Sequence, residues 1–210
     1  MTPDALLYWL GMTAVAVSAV TGVLDSGQKR MDLIGALLVG AATALGGGTI
    51  RDLLIDRTVF WVADQTYLIT ALGTGLLTFF IARAVDIPQR LFLLPDALGL
   101  ALFTIVGTQV ALQLNTPWLV ASLLGVTTGV VGGVLRDILC NEVPSTFLKG
   151  ELYASAAWVG AFVLIALQAL QFSPVHAAFA GTAVIFLLRL AAIRFKLTLP
   201  TLETASGRPH

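Results

Sequence analysis

Apolar residues along the chain fall into seven long stretches that are separated by short polar connections. The hydrocarbon core of a bilayer is about 30 Å thick and a helix needs roughly 17–25 apolar residues to cross it, which each stretch supplies. The predicted spans are approximately 5–24, 33–55, 67–84, 91–114, 118–139, 152–170 and 175–193, with predicted turns at 25–27, 86–88, 115–117, 143–144 and 173–174. The pattern predicts an all-α polytopic membrane protein with seven transmembrane helices.

Composition supports a membrane protein and narrows the chemistry. Of the 210 residues 57% are hydrophobic and 11% are charged, whereas a soluble domain carries about 25% charged residues. There is no basic run or basic patch interleaved with aromatics, so nucleic acid is not an expected partner. The single Cys140 excludes an internal disulfide and a multi-cysteine metal site, and His176 and His210 are too few for a histidine-built one. No metal or other cofactor is expected.

The basic residues of the connections predict the orientation, because cytoplasmic loops are enriched in Lys and Arg. With seven spans, one side of the membrane carries nearly all of them, and the other has little beyond Arg57. The N-terminus is therefore predicted to lie outside and the C-terminus in the cytoplasm. The basic residues on the predicted cytoplasmic side are Lys29, Arg30, Arg83, Arg90, Lys149, Arg194, Lys196 and Arg208.

The sequence matches itself when it is shifted by 85 positions. The shift aligns the glycine stretch that ends in Arg51-Asp52 with the one that ends in Arg136-Asp137. The repeats cover about 5–84 and 91–170 of a single transmembrane domain, followed by a seventh helix at about 175–195 and a short cytoplasmic tail at 196–210. Because each repeat has three spans, the second enters from the opposite side, which predicts two inverted three-helix repeats.

Both glycine stretches place helix-weakening residues and a charged pair inside an apolar span. An interior helical glycine costs about 1 kcal/mol relative to Ala, and a charge near the middle of a bilayer roughly 2.5–3.5 kcal/mol on insertion scales. We expect the second and fifth spans to be broken or kinked there, because freed backbone groups are tolerated where they line a polar pathway. The candidate pathway and kink residues are Gly46, Gly47, Gly48, Arg51, Asp52, Gly132, Gly133, Arg136 and Asp137.

Each of these residues also has a purely structural interpretation. Small residues let membrane helices pack closely. We prefer this close-packing interpretation for Gly22, Gly35, Gly40, Gly107 and Gly125, but not for the two contiguous glycine stretches. The two arginines could snorkel or neutralise acids that hold the fold. Since neighbouring residues point about 100° apart on a helix, each arginine need not face its own aspartate, and pairing with an acid of the other repeat stays open.

Other polar residues within the spans are weaker candidates. Asp96 follows Pro95 at the start of the fourth span, where an acid favours the helix dipole, or it could attract cations at a pore mouth. Hydroxyls within spans can bond to their own helix backbone or line a pathway. The candidate pore hydroxyls are Thr43, Thr104, Thr108 and Thr128.

No enzyme chemistry is predicted. The chain has no Gly-rich loop followed by Lys and Ser or Thr for phosphate, and no Gly-x-Ser-x-Gly nucleophile elbow. Cys140 has no nearby histidine to activate it.

The two glycine-Arg-Asp stretches, together with Asp96-Ala97-Leu98-Gly99-Leu100, Leu152-Tyr153-Ala154 and Arg189-Leu190-Ala191-Ala192-Ile193-Arg194, resemble prokaryotic members of the trimeric intracellular cation (TRIC) channel family, also labelled glycine-transporter-like. The likeness covers almost the whole chain. It implies a homotrimer in the cell (inner) membrane of a prokaryote, with one pathway per protomer that passes K⁺ and Na⁺ without ATP. Membrane lipid is an implied partner.

The chain departs from the family pattern at two positions. The resemblance implies a lysine where this chain has Val110 and an apolar residue where it has Asp25. A gating or lipid-binding role of that lysine is therefore not carried over.

Two functions remain open from the sequence, besides a purely structural role. A passive monovalent cation channel is the first hypothesis. A secondary transporter of a small solute such as glycine is the alternative, since inverted repeats are also the layout of transporters.

Overall fold

The structure is a computed structural model that describes residues 3–85, 92–147 and 152–199. These ranges contain eight α-helices and one 3₁₀ turn, Ser145–Phe147, and no strand. The predicted features Arg90, Lys149, Arg208, His210 and the turn at 86–88 lie outside them. The helices are α1 Pro3–Gln28, α2 Leu33–Leu54, α3 Phe60–Ala63, α4 Thr66–Ala84, α5 Leu93–Gln113, α6 Trp118–Leu139, α7 Ala154–Ala169 and α8 Pro174–Phe195.

Six of the described helices are long and apolar enough to cross a membrane: α1, α2, α4, α5, α6 and α8. The chain is thus a multi-pass, all-helical membrane protein. The remaining predicted span corresponds to α7, an apolar helix of 16 residues, so the count of seven spans stays a prediction.

Four helices form the centre of the molecule. The helices α1, α2, α5 and α6 pack on one another, while α4 packs on α1 and α2, and α8 on α5 and α7. Most residues of α5 are buried, whereas α4 and α8 expose large apolar side chains such as Leu77, Phe80 and Leu187. Apolar side chains on the outer helices suit contact with lipid tails, which leaves the polar residues to gather at the centre.

The backbone at the helix ends follows the 85-residue shift. Arg30 and Asn115 adopt left-handed conformations after α1 and α5, with φ of 55° and 58°, and Asp56 and Asn141 do so after α2 and α6, with φ of 52° and 57°. Such a residue commonly ends a helix, because it turns the chain away from the helix axis. The two halves of the sequence thus end corresponding helices in the same way.

The turn predicted at 25–27 is wrong. These residues belong to the last turn of α1, which ends at Gln28. The Ser26 hydroxyl donates to the carbonyl of Val23, and the chain turns only at Arg30. Asp25 is therefore held on a helix face rather than in a loop.

The glycine stretches lie where α2 and α6 cross. A Cβ atom on Gly47 would overlap the carbonyl of Thr128, and one on Gly132 would overlap the carbonyl of Thr43. Because 43 pairs with 132 and 47 with 128, the two helices run antiparallel. The close-packing interpretation, which the sequence disfavoured here, therefore holds at Gly47 and Gly132.

Both helices continue as α-helix through their glycines, from Leu33 to Leu54 and from Trp118 to Leu139. The expected break in each helix is wrong, because the backbone hydrogen bonding continues while the partner helix fills the space above the glycines. A bend of the axis without a break stays a prediction.

Candidate functional site

Arg51 is held by its neighbour at the C-terminal end of α2. Its Nε and Nη2 atoms both donate to Asp52 Oδ1, at 2.9 and 2.8 Å, and both residues are almost completely buried. The other carboxylate oxygen of Asp52 accepts the backbone N–H of Phe60 at 2.8 Å, and the Phe60 ring lies 5.8 Å from the guanidinium carbon. Asp52 thus joins Arg51 to the short helix α3.

A cavity of about 240 Å³ opens beside Arg51. Side chains from α1, α2, α4 and α5 surround it, and Phe60 of α3 lies at its edge. Its polar or charged lining consists of Asp4, Tyr8, Arg51, Arg57, Tyr67 and Gln113. A charged residue buried inside a membrane protein normally faces such a polar space, and Arg51 lines this cavity.

Arg136 is held by three acids at the C-terminal end of α6. Its Nε and Nη2 atoms lie 2.9 and 2.8 Å from Asp137 Oδ1, and its Nη1 donates to Asp96 at 2.7 Å. The third acid is Asp25 of α1, whose Oδ2 lies 3.3 Å from Arg136 Nε. Pairing with an acid of the other repeat, which the sequence left open, is therefore found at Arg136.

Two aromatic side chains complete the surroundings of Arg136. The ring of Phe92 lies 4.7 Å from its guanidinium carbon, and the Tyr153 hydroxyl lies 3.4 Å from Asp96 Oδ1. The space that remains is a pocket of about 10 Å³, at the lower limit of the volume that one water molecule needs. The Arg136 end is thus filled where the Arg51 end is open.

The two spaces are built from corresponding positions of the two repeats. Residues that line the small pocket have counterparts, 85 positions away, that line the large cavity: Ser18 and Phe103, Thr21 and Val106, Asp96 and Gly11, Gly133 and Gly48, and Arg136 and Arg51. Phe103 lines both spaces and lies between them. The cavity and the pocket are therefore two unequal spaces at corresponding places of the two repeats.

The candidate hydroxyls mostly bond to their own helices. Thr43, Thr108 and Thr128 each donate to the carbonyl four residues earlier, at 2.6–2.8 Å. Of these, Thr43 also lines the small pocket. The Thr104 hydroxyl is buried against Gly129. Asp96 lies in the first turn of α5 and also pairs with Arg136, so both of its interpretations have a structural basis.

Two groups just outside the helices have perturbed pKa values. The hydrogen bond to Glu142 raises the pKa of Lys29, and the two side chains form an exposed ion pair at 2.5 Å. Burial raises the pKa of the Cys140 thiol to about 11, which keeps it protonated and a poor nucleophile. Among the described residues no group of three His, Cys, Asp or Glu side chains is arranged to hold a metal ion.

Sequence reasoning missed several partners of the two arginines. Asp25 stood out as an acid near the end of an apolar span, but its distance of 111 positions from Arg136 carried no pairing signal. Phe60 and Phe92 carried none either, because single aromatics are common at the ends of spans. The helix α3 has four residues and no periodicity to detect.

The fold and the two arginine sites define an all-helical, multi-pass membrane protein with charged residues buried at both ends of its central helix pair. Comparison with known proteins identifies its family. A model described as "Glycine transporter", the TRIC family, matches residues 8–83 and again 93–169. The chain belongs to this family.

Similar proteins and solved structures support the assignment to this family. The chain is 44% identical over 202 residues to the Escherichia coli K12 UPF0126 inner membrane protein YadS, covering 93% of this chain and 96% of the relative. The structure resembles the TRIC trimeric intracellular cation channel orthologue from Rhodobacter sphaeroides with a TM-score of 0.87 and 40% identity, covering 91% of this chain and 99% of that one. A second TRIC cation channel gives a TM-score of 0.84 and 33% identity, covering 93% and 96%. These structural relatives are channels, not enzymes.

Proposed function

We propose that this protein is a passive cation channel that conducts K⁺ and Na⁺ through one pathway in each protomer. The observation that carries the proposal is the similarity over almost the whole chain to solved TRIC cation channels. The Arg51 cavity and the Arg136 pocket, both of which Phe103 lines, support a route through the protomer, because residues of one chain line both spaces.

The pathway residues are the candidates of the two glycine stretches and the polar groups beside them. Arg51 lines the cavity, and Arg136 and Asp96 line the pocket. We propose that these three residues act on a passing ion. The aspartates beside the arginines offset charges that would otherwise repel a cation by several kcal/mol at a low effective dielectric. We expect low selectivity between K⁺ and Na⁺, because the polar side chains that line the two spaces act on the single positive charge that both ions share.

The two repeats are related by an approximate twofold axis in the membrane plane. The family model matches twice with starts 85 residues apart, and the Gly47–Thr128 and Gly132–Thr43 contacts are reciprocal, as a twofold axis requires. We propose that α7 is the sixth of seven spans. The N-terminus then lies outside and the C-terminus in the cytoplasm, as the basic connections predict.

The protein assembles as a homotrimer in the prokaryotic inner membrane. The R. sphaeroides orthologue is described as trimeric, and the E. coli relative as an inner membrane protein. Light scattering of the detergent-solubilised protein should give a protein mass of three times the 22.1 kDa chain. A mass of one chain at all protein concentrations would contradict the assembly.

Planar-bilayer recording tests the channel. Purified protein should give cation-selective currents under K⁺ and Na⁺ gradients, with a reversal potential far from that of Cl⁻. No K⁺ current at any voltage, from protein that is correctly assembled, would exclude a channel. R51A and R136A should each change the conductance or the open probability.

A small-solute transporter is the second candidate, and the unequal cavities favour it. One open and one closed end is also the arrangement of an alternating-access transporter. Uptake of labelled glycine into proteoliposomes, with protein-free liposomes as the control, separates the two. Saturable uptake without ionic current would support the transporter, and current without uptake the channel.

A further inference from the structure

The two ends of the route differ at corresponding positions. Arg136 pairs with Asp25 and Asp96, and the residues 85 positions away from these two acids are Val110 and Gly11. Both Val110 and Gly11 line the large cavity beside Arg51. The end with two extra carboxylates has a pocket of about 10 Å³, and the end without them has a cavity of about 240 Å³.

Asp25 differs from Asp96 in the helices that it connects. Asp96 and Arg136 both belong to the second repeat, whereas Asp25 lies on α1 of the first. Its ion pair with Arg136 therefore ties the two repeats together at this end. Lys29 and Glu142 form a second tie between the repeats nearby, but both of these side chains are partly exposed, and exposed pairs contribute little.

Among the described residues, no buried ion pair joins the two repeats at the Arg51 end. The partner of Arg51 is its own neighbour Asp52, and Arg57, 3.8 Å from Asp52, comes from the same repeat. The polar contact between repeats at this end joins Gln113 to Asp4 at 3.4 Å, a long hydrogen bond between neutral and charged groups. The ion pairs around Arg51 thus lie within one repeat and do not hold the two repeats together.

We infer that Asp25 holds the Arg136 end of the route closed and that Val110, at the corresponding position, leaves the Arg51 end open. The inference rests on the proposed pathway and names the residue pair that decides which end is shut. A buried guanidinium between carboxylates resists separation, because each charge would be left without its partner in a medium of low dielectric. Valine at the corresponding position offers Arg51 no such partner.

Exchange of the two residues tests the inference. D25V gives the Arg136 end the residue of the open end, and V110D places a carboxylate beside Arg51. D25E keeps the charge and serves as the conservative control. D25N, which keeps the size and can still hydrogen-bond, replaces D25V if that variant does not assemble into the same oligomer as the parent protein.

Cysteine accessibility measures each end without need of ion flux. Thr21 lines the pocket and Val106, its counterpart, lines the cavity, so T21C and V106C are matched probes. Both are made in a C140A background that lacks the native thiol. A positively charged, membrane-impermeant methanethiosulfonate reagent is applied to one side of the membrane at a time.

With Asp25 present, V106C should react rapidly from one side and T21C slowly from both. D25V should speed the reaction of T21C about tenfold from the opposite side, which corresponds to about 1.4 kcal/mol in an opening equilibrium, while D25E should not. V110D should slow V106C. Unchanged reaction of T21C in both D25V and D25N would overturn the inference.

Current recordings on the same variants keep the inference separate from the proposed function. If accessibility changes as expected but no variant carries current, the ends are assigned correctly and the channel is excluded. If the protein carries current but accessibility is the same in every variant, the channel stands and the role of Asp25 is excluded.

Discussion

A Cβ atom on Gly132 would overlap the carbonyl oxygen of Thr43, so the backbone of α6 lies directly against that of α2. Contact between two backbones leaves no room for a side chain, because neither partner can change rotamer to make space. The corresponding contact between Gly47 and Thr128 lies on the other side of the same crossing. The crossing therefore depends on glycine at two positions, for reasons of space rather than of flexibility.

Substitution of either crossing glycine by alanine should destabilise the protein. Overpacking of a rigid site costs about 1–3 kcal/mol, so G47A and G132A should lower the thermal unfolding temperature in detergent. Gly73 provides a matched control, since it lies in a helix with no atom within 4 Å of the space that a Cβ would occupy. G73A should be neutral or slightly stabilising. Equal melting temperatures for all three variants would contradict the claim that the helix crossing requires glycine at these two positions.

Loss of Arg136 should destabilise the protein more than loss of Arg51. R136A leaves the carboxylates of Asp25, Asp96 and Asp137 buried around an empty site, and breaking a buried pair costs about 3–5 kcal/mol. After R51A, Asp52 still accepts the N–H of Phe60 and lies near Arg57.

Thermal unfolding of both variants measures this difference. A variant that also removes acid charge, R136M/D96N/D137N, should recover part of the stability lost in R136A. If R51A were less stable than R136A, repulsion among the three buried acids around Arg136 would not be the main cause of instability.

Removal of the Phe103 ring should increase ion flux. Phe103 lines both the cavity and the pocket, so F103A should join the two spaces and raise the K⁺ current per protein. F103L retains most of the volume and should resemble the parent protein. A current that is the same or smaller in a well-assembled F103A protein would place the barrier elsewhere along the route.

The hydroxyl of Thr49 should contribute to the attachment of α3 to α2. Trp61 Nε1 donates to the hydroxyl of Thr49 at 2.9 Å, and a hydrogen bond of this kind contributes about 0.5–1.5 kcal/mol. T49V should raise amide hydrogen exchange in α3, whereas T49S, which keeps the hydroxyl, should not. Identical exchange in the two variants would mean that the Thr49 hydroxyl does not hold α3 in place.

The sequence predicted the long helices well and the polar contacts poorly. The predicted span at 118–139 has the same limits as α6, because a change from apolar to polar residues marks both ends. The span at 5–24 was four residues too short at its C-terminal end, since Asp25 and Gly27 are typical turn residues. In the structure Asp25 forms an ion pair with Arg136 of α6, a contact that the local sequence does not encode.

The 85-residue shift was the most informative part of the sequence. It predicted that Arg51 and Arg136 occupy corresponding places, and the reciprocal glycine contacts agree with it. It could not predict that the two places differ in volume, because a match between repeats carries no signal at positions where they have diverged, such as Asp25 and Val110. Symmetry in a sequence thus reveals a shared scaffold, and the positions that break it reveal where the two ends differ.

Asp25 also bears on how such a chain could have evolved. A gene for one three-helix unit, whose product formed an antiparallel dimer, would place any new carboxylate at both ends of the route. An aspartate at this position would then close both ends or neither. Once duplication and fusion had joined the two units, a mutation in one copy could change one end alone, as Asp25 and Val110 illustrate.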